Sequence, residues 1–233
     1  MGTVDPETSL ASLVLDHPQR AELFEQLGFD YCCRGSRSLA AACTERDLDV
    51  DTLVRVMEAH ASSVALPAGH DFDCRTASTA ELVDHIVSAH HERLRRELPR
   101  LAETLTAVVR AHGRDDARLM SVARLFDDLA RELHEHLDRE ERLLFPACTA
   151  LESGEGAVDA DGLLAELVHD HADTGETLAR LRELTDDYRP ESARCTTHRA
   201  LLDGLAALER DLHLHIHEEN NILFPRVRDR LAT

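Results

Sequence analysis

Twice in this 233-residue chain a glutamate follows a histidine by four residues, each time inside the same short pattern. His136 and Glu140 precede Leu144-Phe145-Pro146; His215 and Glu219 precede Leu223-Phe224-Pro225. The two copies lie 79 residues apart. Four residues make about one helical turn, so each pair shares a helix face. Both side chains are metal-ligand types. Matched pairs on facing helices are a way for a bundle to build a metal site in its core.

A wider repeat adds two histidines. His91 is followed by Leu98 and Leu101, and His171 by Leu178 and Leu181, at the same offsets. His91 precedes His136 by 45 residues and His171 precedes His215 by 44. The pattern reads as two similar helical hairpins, each supplying one His and then a His and a Glu. The elements that must carry them are four long helices near 78–111, 116–146, 160–187 and 195–225. They are separated by AHGRDD, ESGEGAVDADG and DDYRPES. The expected fold is all-α: an antiparallel four-helix bundle over 78–233, preceded by a small helical domain over 1–62 and a linker over 63–77. Within that small domain, Pro18 marks a helix start and Gly28 a stop.

The helical angle of about 100° per residue sorts inward from outward positions. His136 and Glu140 fall in an apolar stripe with Val122, Leu125, Phe126, Leu129, Leu133, Leu137, Leu143 and Leu144, whereas His134 and Asp138 face away. His215 and Glu219 share a face with Leu201, Leu205, Leu208, Leu212, Ile216, Ile222 and Leu223; His213 and His217 point away. His171 sits among Leu164, Leu167, Val168 and Leu178, with His169 outside. His91 continues the row Val83, Val87, Leu94, Leu98, Leu101 and Leu105. His90 lies in the same broad stripe, but the 4-3-4 spacing of 87, 91, 94 and 98 and the repeat both favour His91.

A buried carboxylate without a partner costs several kcal/mol or takes up a proton. Two in one small core also repel, and nothing basic lies on these stripes. A multivalent cation removes the conflict. Four His and two Glu without a thiolate differ from structural zinc sites, which use four ligands and often cysteine. The mixed nitrogen and oxygen set suits two six-coordinate first-row ions, with iron the natural choice and manganese its competitor.

The remaining composition narrows the partners. All 26 basic residues are Arg, against 45 Asp and Glu, for a net charge of −19. That balance opposes a nucleic-acid partner and an anionic membrane surface. No run of apolar residues is long enough to span a bilayer, and MGTVDPETSL lacks the features of a signal peptide. A cytoplasmic location follows, with reduced cysteines.

The order His, His-x-x-x-Glu, His, His-x-x-x-Glu, with Leu-Phe-Pro after each pair, resembles the hemerythrin-like domain over roughly 78–226. Asp30-Tyr31-Cys32-Cys33 resembles the short domain that precedes this bundle in the iron–sulfur cluster repair (repair of iron centres) di-iron family. Glu219-Asn220-Asn221-Ile222-Leu223-Phe224-Pro225 and Cys195-Thr196-Thr197 match that family's pattern as well. The resemblance implies two non-haem iron ions, oxo- and carboxylate-bridged, on His91, His136, Glu140, His171, His215 and Glu219, with the glutamates as bridges. It also implies repair of iron–sulfur clusters damaged by nitrosative or oxidative stress, through iron donation, nitric oxide reduction or both. Damaged iron–sulfur proteins and nitric oxide or oxygen are then the partners; whether the chain pairs as a homodimer stays open.

A hemerythrin-like carrier or sensor of oxygen or nitric oxide is the alternative. The symmetrical ligand set weakens it, because oxygen carriers are typically richer in His and use one Asp with one Glu. A ferritin-like oxidase ranks last, since its Glu-x-x-His spacing is missing among the candidate ligands.

Cys32 and Cys33 are candidates for redox work or for transfer of nitric oxide or iron. The family usually has Gly-Gly after them, where this chain has Arg34-Gly35. That change removes one permissive residue, and Arg34 is expected to lower the neighbouring thiol pKa values. Cys43, Cys74, Cys148 and Cys195 have no partner spacing and read as structural.

Overall fold

A computed structural model describes residues 4–63, 72–154 and 160–232. Residues 64–71 of the expected linker and 155–159 of the expected loop lie outside the described residues.

Four short helices come first: α1 (Leu10–Asp16), α2 (Arg20–Leu27), α3 (Leu39–Glu45) and α4 (Val50–Ser63). Their ends follow local chemistry. The Ser9 and Ser38 hydroxyls cap α1 and α3 by accepting the Ser12 and Ala41 N–H groups. Gly28 closes α2 in the left-handed region at φ 66°. α3 and α4 are separate helices, with Asp47 at a positive φ between them. Leu10, Phe24, Tyr31, Leu39 and Met57 form the core of this small domain.

The bundle opens at Ser78, which forms a reciprocal capping box with Glu81 at the start of α5 (Thr79–Ile86). A π turn (Val87–His91) leads into α6 (Glu92–His112). The second long helix runs α7 (Arg118–Arg139), π turn (Glu140–Leu144) and α8 (Phe145–Glu152). The third is α9 (Ala160–Leu184); the fourth runs α10 (Thr196–Glu218), π turn (Glu219–Leu223) and α11 (Phe224–Leu231). α6 packs on α7 and α10, and α7 on α9. Among the described residues no helix is long and apolar enough to cross a membrane.

The second and fourth helices do not stop at Leu-Phe-Pro as expected. Phe145 and Phe224 donate their N–H groups five residues back, to Glu140 O and Glu219 O. The proline that follows has no N–H to give, so it falls where the ordinary ladder is already broken, and the helix resumes. The same wide turn alters the expected facing. Leu143, placed inward by a uniform helical angle, is 55% exposed because the angle changes at the π turn.

α10 is covered on two sides. Ile216, expected in the bundle interior, instead joins the small domain's core. His217, expected to face away, does leave the bundle core but is only 3% exposed; it lies edge-on to the Tyr31 ring.

Candidate metal centre

Two apolar clusters fill the bundle. One runs along Leu94–Val108, Leu119–Leu137, Leu178–Leu181 and Leu201–Leu212. The other gathers Leu82, Ile86, Leu144, Phe145, Leu164, Leu167, Leu223 and Phe224. In every helix the histidine or His–Glu pair falls between a contribution to one cluster and a contribution to the other. The six polar residues therefore form a layer across the bundle, sealed by apolar packing above and below. All six are buried, with Glu140 and Glu219 fully so.

The structure brings His91, His136, Glu140, His171, His215 and Glu219 together in two overlapping groups. His91, His215, Glu140 and Glu219 have donor atoms within 4.8 Å of one another, and so do His136, His171, Glu140 and Glu219. Both glutamates belong to both groups. Glu140 Oε1 lies 3.1 Å from His136 Nε2 while its Oε2 lies 3.5 Å from His91 Nε2. Glu219 Oε1 is 3.0 Å from His215 Nε2 and its Oε2 is 3.2 Å from His171 Nε2. The histidine pairs cross between hairpins, His91 with His215 and His136 with His171, each with its Nε2 atoms 3.1 Å apart. The sequence repeat does not reveal that crossing.

The ring nitrogens facing away explain why the inner ones are free to ligate. His91 Nδ1 bonds Glu141 Oε1 at 2.8 Å, His136 Nδ1 bonds Asp170 Oδ2 at 3.3 Å, and His171 Nδ1 bonds Asn220 Oδ1 at 2.9 Å. With the hydrogen on Nδ1, each Nε2 lone pair points into the layer. Arg95 and Arg139 in turn hold Glu141 and Asp170. Sequence reasoning missed these three acceptors. A signal existed: each is adjacent in sequence to a ligand candidate, and each serves the histidine of a neighbouring helix.

The donor set fits a cation. Both Glu140 oxygens and Glu219 Oε2 are buried without a hydrogen-bond partner. Positive charge between them resolves that conflict. In the metal-free protein, burial holds the His91 pKa below its usual value, with the neighbouring His215 adding to the effect. Burial also disfavours charge on His136, but Glu140 and Asp170 outweigh it and raise its pKa to about 10. Glu219 stays ionised well below the usual range despite burial, because His215 and His171 face it.

His90 is buried too, but it turns aside. Its Nδ1 bonds Asp211 at 3.2 Å, and its ring stacks on His215.

Cys32 and Cys33 sit on a loop pressed against this layer. Asp30 Oδ1 accepts the N–H groups of Cys33 and Arg34, and the free thiols lie 3.8 Å apart. Cys33 Sγ is 3.6 Å from His171 O, and Asn221 Nδ2 donates to Cys32 O at 2.9 Å. The expected lowering of thiol pKa by Arg34 does not hold for Cys32. The hydrogen bond to Cys33, burial and Asp30 drive that thiol well upward. The lost glycine also matters less than expected, since the close approach is at Gly35, where a Cβ would meet Tyr31 O at 2.3 Å.

Of the other cysteines, Cys43 and Cys148 are core residues. Cys195 is exposed and caps α10. Cys74 lies beside His85 and Glu218, a grouping its spacing did not show.

Comparison with known proteins agrees with this geometry. Residues 82–227 match the model described as hemerythrin HHE cation binding domain. Residues 6–61 match one described as a domain of unknown function, DUF542. Iron-sulfur cluster repair protein YtfE of Enterobacter sp. (strain 638) is 36% identical over 93% of this chain and 94% of its own length. Its namesake in Escherichia coli O81 (strain ED1a) is also 36% identical over the same shares. Iron-sulfur cluster repair protein ScdA of Staphylococcus haemolyticus is 33% identical over 94% of this chain and 96% of its own length.

Proposed function

From the premise that this chain belongs to the hemerythrin HHE family, within its iron–sulfur cluster repair branch, we propose that it repairs clusters damaged by nitrosative or oxidative stress, using two non-haem iron ions. The observation that carries this reading is the pair of four-residue groups sharing both glutamates. His91 and His215 would hold one ion and His136 and His171 the other, with Glu140 and Glu219 each giving one oxygen to either side. Bound there, the irons supply redox chemistry toward nitric oxide or oxygen and a store of metal for a damaged cluster.

The chain's own residues do the rest. Glu141, Asp170 and Asn220 keep three imidazoles in the ligating tautomer. The apolar clusters on either side exclude water. Cys32 and Cys33, on the loop against His171, are the groups we assign to transfer between the centre and a partner. Damaged iron–sulfur proteins are that partner, met in the cytoplasm, where thiols stay reduced.

The test combines composition and activity. Purified protein should contain two coupled irons per chain by metal analysis and Mössbauer spectroscopy. It should restore a nitric-oxide-damaged cluster dehydratase. A Glu140→Gln, Glu219→Gln variant should lose both properties. Full repair by an iron-free variant would overturn the reading. A stable, reversible oxygen adduct in absorption spectra would favour a carrier instead.

A further inference from the structure

A second group of ligand-type side chains lies outside the six-residue layer. Cys74 Sγ, a ring nitrogen of His85 and a carboxylate oxygen of Glu218 fall within 4.8 Å of one another. They come from three places in the chain: the segment before α5, α5 itself, and the last residue of α10. Each place is fixed. Arg226 holds the carbonyls of Cys74, Arg75 and Ala77. The His85 ring stacks on Phe72 at 4.0 Å between centroids. Glu218 Oε1 lies 3.5 Å from His85 Nε2, while its Oε2 is buried without a hydrogen-bond partner, 3.7 Å from His90 Nε2. All three residues are half-buried.

We infer that Cys74, His85 and Glu218 form a separate binding site for one divalent first-row transition ion, with water as the fourth ligand. One sulfur, one nitrogen and one oxygen make a borderline donor set that favours zinc, ferrous iron or cobalt over magnesium or calcium. On binding, the Cys74 S–H bond breaks, a sulfur–metal bond forms, and the proton passes to solvent. Burial and the nearby Glu218 charge disfavour a bare thiolate at Cys74, so the metal must supply the charge that removes that proton. The bound ion would clamp the segment leading into α5 onto the end of α10. This site goes beyond the repair reading and does not depend on it.

Cobalt separates the sites, because the six-residue layer has no thiolate. Full-length, metal-free protein carrying Cys32→Ser and Cys33→Ser is titrated with Co2+ and followed by absorption and metal analysis. The expected result is a near-ultraviolet sulfur-to-cobalt charge-transfer band that saturates with about one ion per chain, whatever binds elsewhere. Cys74→Ser should abolish the band and remove that ion. Cys74→His should keep the ion but lose the band, which separates ligand loss from misfolding. Adding Glu140→Gln and Glu219→Gln should empty the layer and leave the band, so failure of the repair reading is distinguishable from failure of this one. No thiolate band, or a band that survives Cys74→Ser, would overturn the inference.

Discussion

At the residue scale the six candidate ligands were legible because a buried Glu is conspicuous on an apolar stripe, and a matched pair more so. The groups that orient them were not, because Glu141, Asp170 and Asn220 act across helix interfaces that a single-helix angle does not describe. Their importance is testable. Glu141→Gln keeps the shape but weakens the hold on His91, and should lower metal affinity by about tenfold, measured by competition with a chelator. Unchanged affinity would mean that Arg95 and packing alone position the ring. The raised pKa of His136 makes a second prediction. In metal-free protein at neutral pH it carries a proton, and ligation must expel it. Metal uptake should therefore release about one proton from this residue, seen as a dependence of calorimetric heat on the ionisation enthalpy of the buffer. His136→Gln should reduce that dependence, and a wild-type heat independent of buffer would contradict the assignment. Acid works in the opposite direction, returning protons to the imidazoles and releasing metal.

At the scale of elements, the existence of the long helices followed from apolar periodicity and from caps such as Ser78. Ser78→Ala removes one side of a capping box and should cost about 1 kcal/mol of stability, read from a denaturant melt. What periodicity missed are the π turns, because a period of 3.6 assumes an unbroken ladder. Among the described residues there are three, and each includes a candidate ligand: His91, Glu140 and Glu219. Leu143 went wrong for that reason, and the helices outlasted their prolines for the same one. The docking of the small domain on α10 was illegible too, since His213 and His217 look like solvent-facing polar residues until Tyr31 and Glu25 arrive. His213 Nδ1 bonds Glu25 Oε1 at 2.6 Å. Burial opposes the charged form, but Glu25 outweighs it and raises the His213 pKa. A group raised in the folded state stabilises fully below its unfolded value near 6.5, and that contribution fades as pH rises through the folded value. The difference in melting temperature between wild type and His213→Gln should therefore be largest in mild acid and shrink in alkali. A difference constant with pH would remove the ion pair from the account.

At the scale of the whole molecule, the cysteine loop meets the polar layer through Asn220 and Asn221. Asn220 accepts from His171 Nδ1 through its oxygen and donates through its nitrogen to Cys32 O at 3.4 Å. Asn221 donates to the same carbonyl, and Gly35 lets the loop sit close enough for these bonds. Asn220→Ala should weaken metal retention although Asn220 is no ligand. Gly35→Val should do the same from a still greater distance, by lifting the loop; iron loss to a chelator measures both. Equal retention in all three proteins would show that the loop and the layer are independent. If they are not, the Cys32 carbonyl is one of the points through which the loop bears on the layer. A partner that grips the cysteine loop and draws it outward would, in the same motion, loosen the ring that holds the metal.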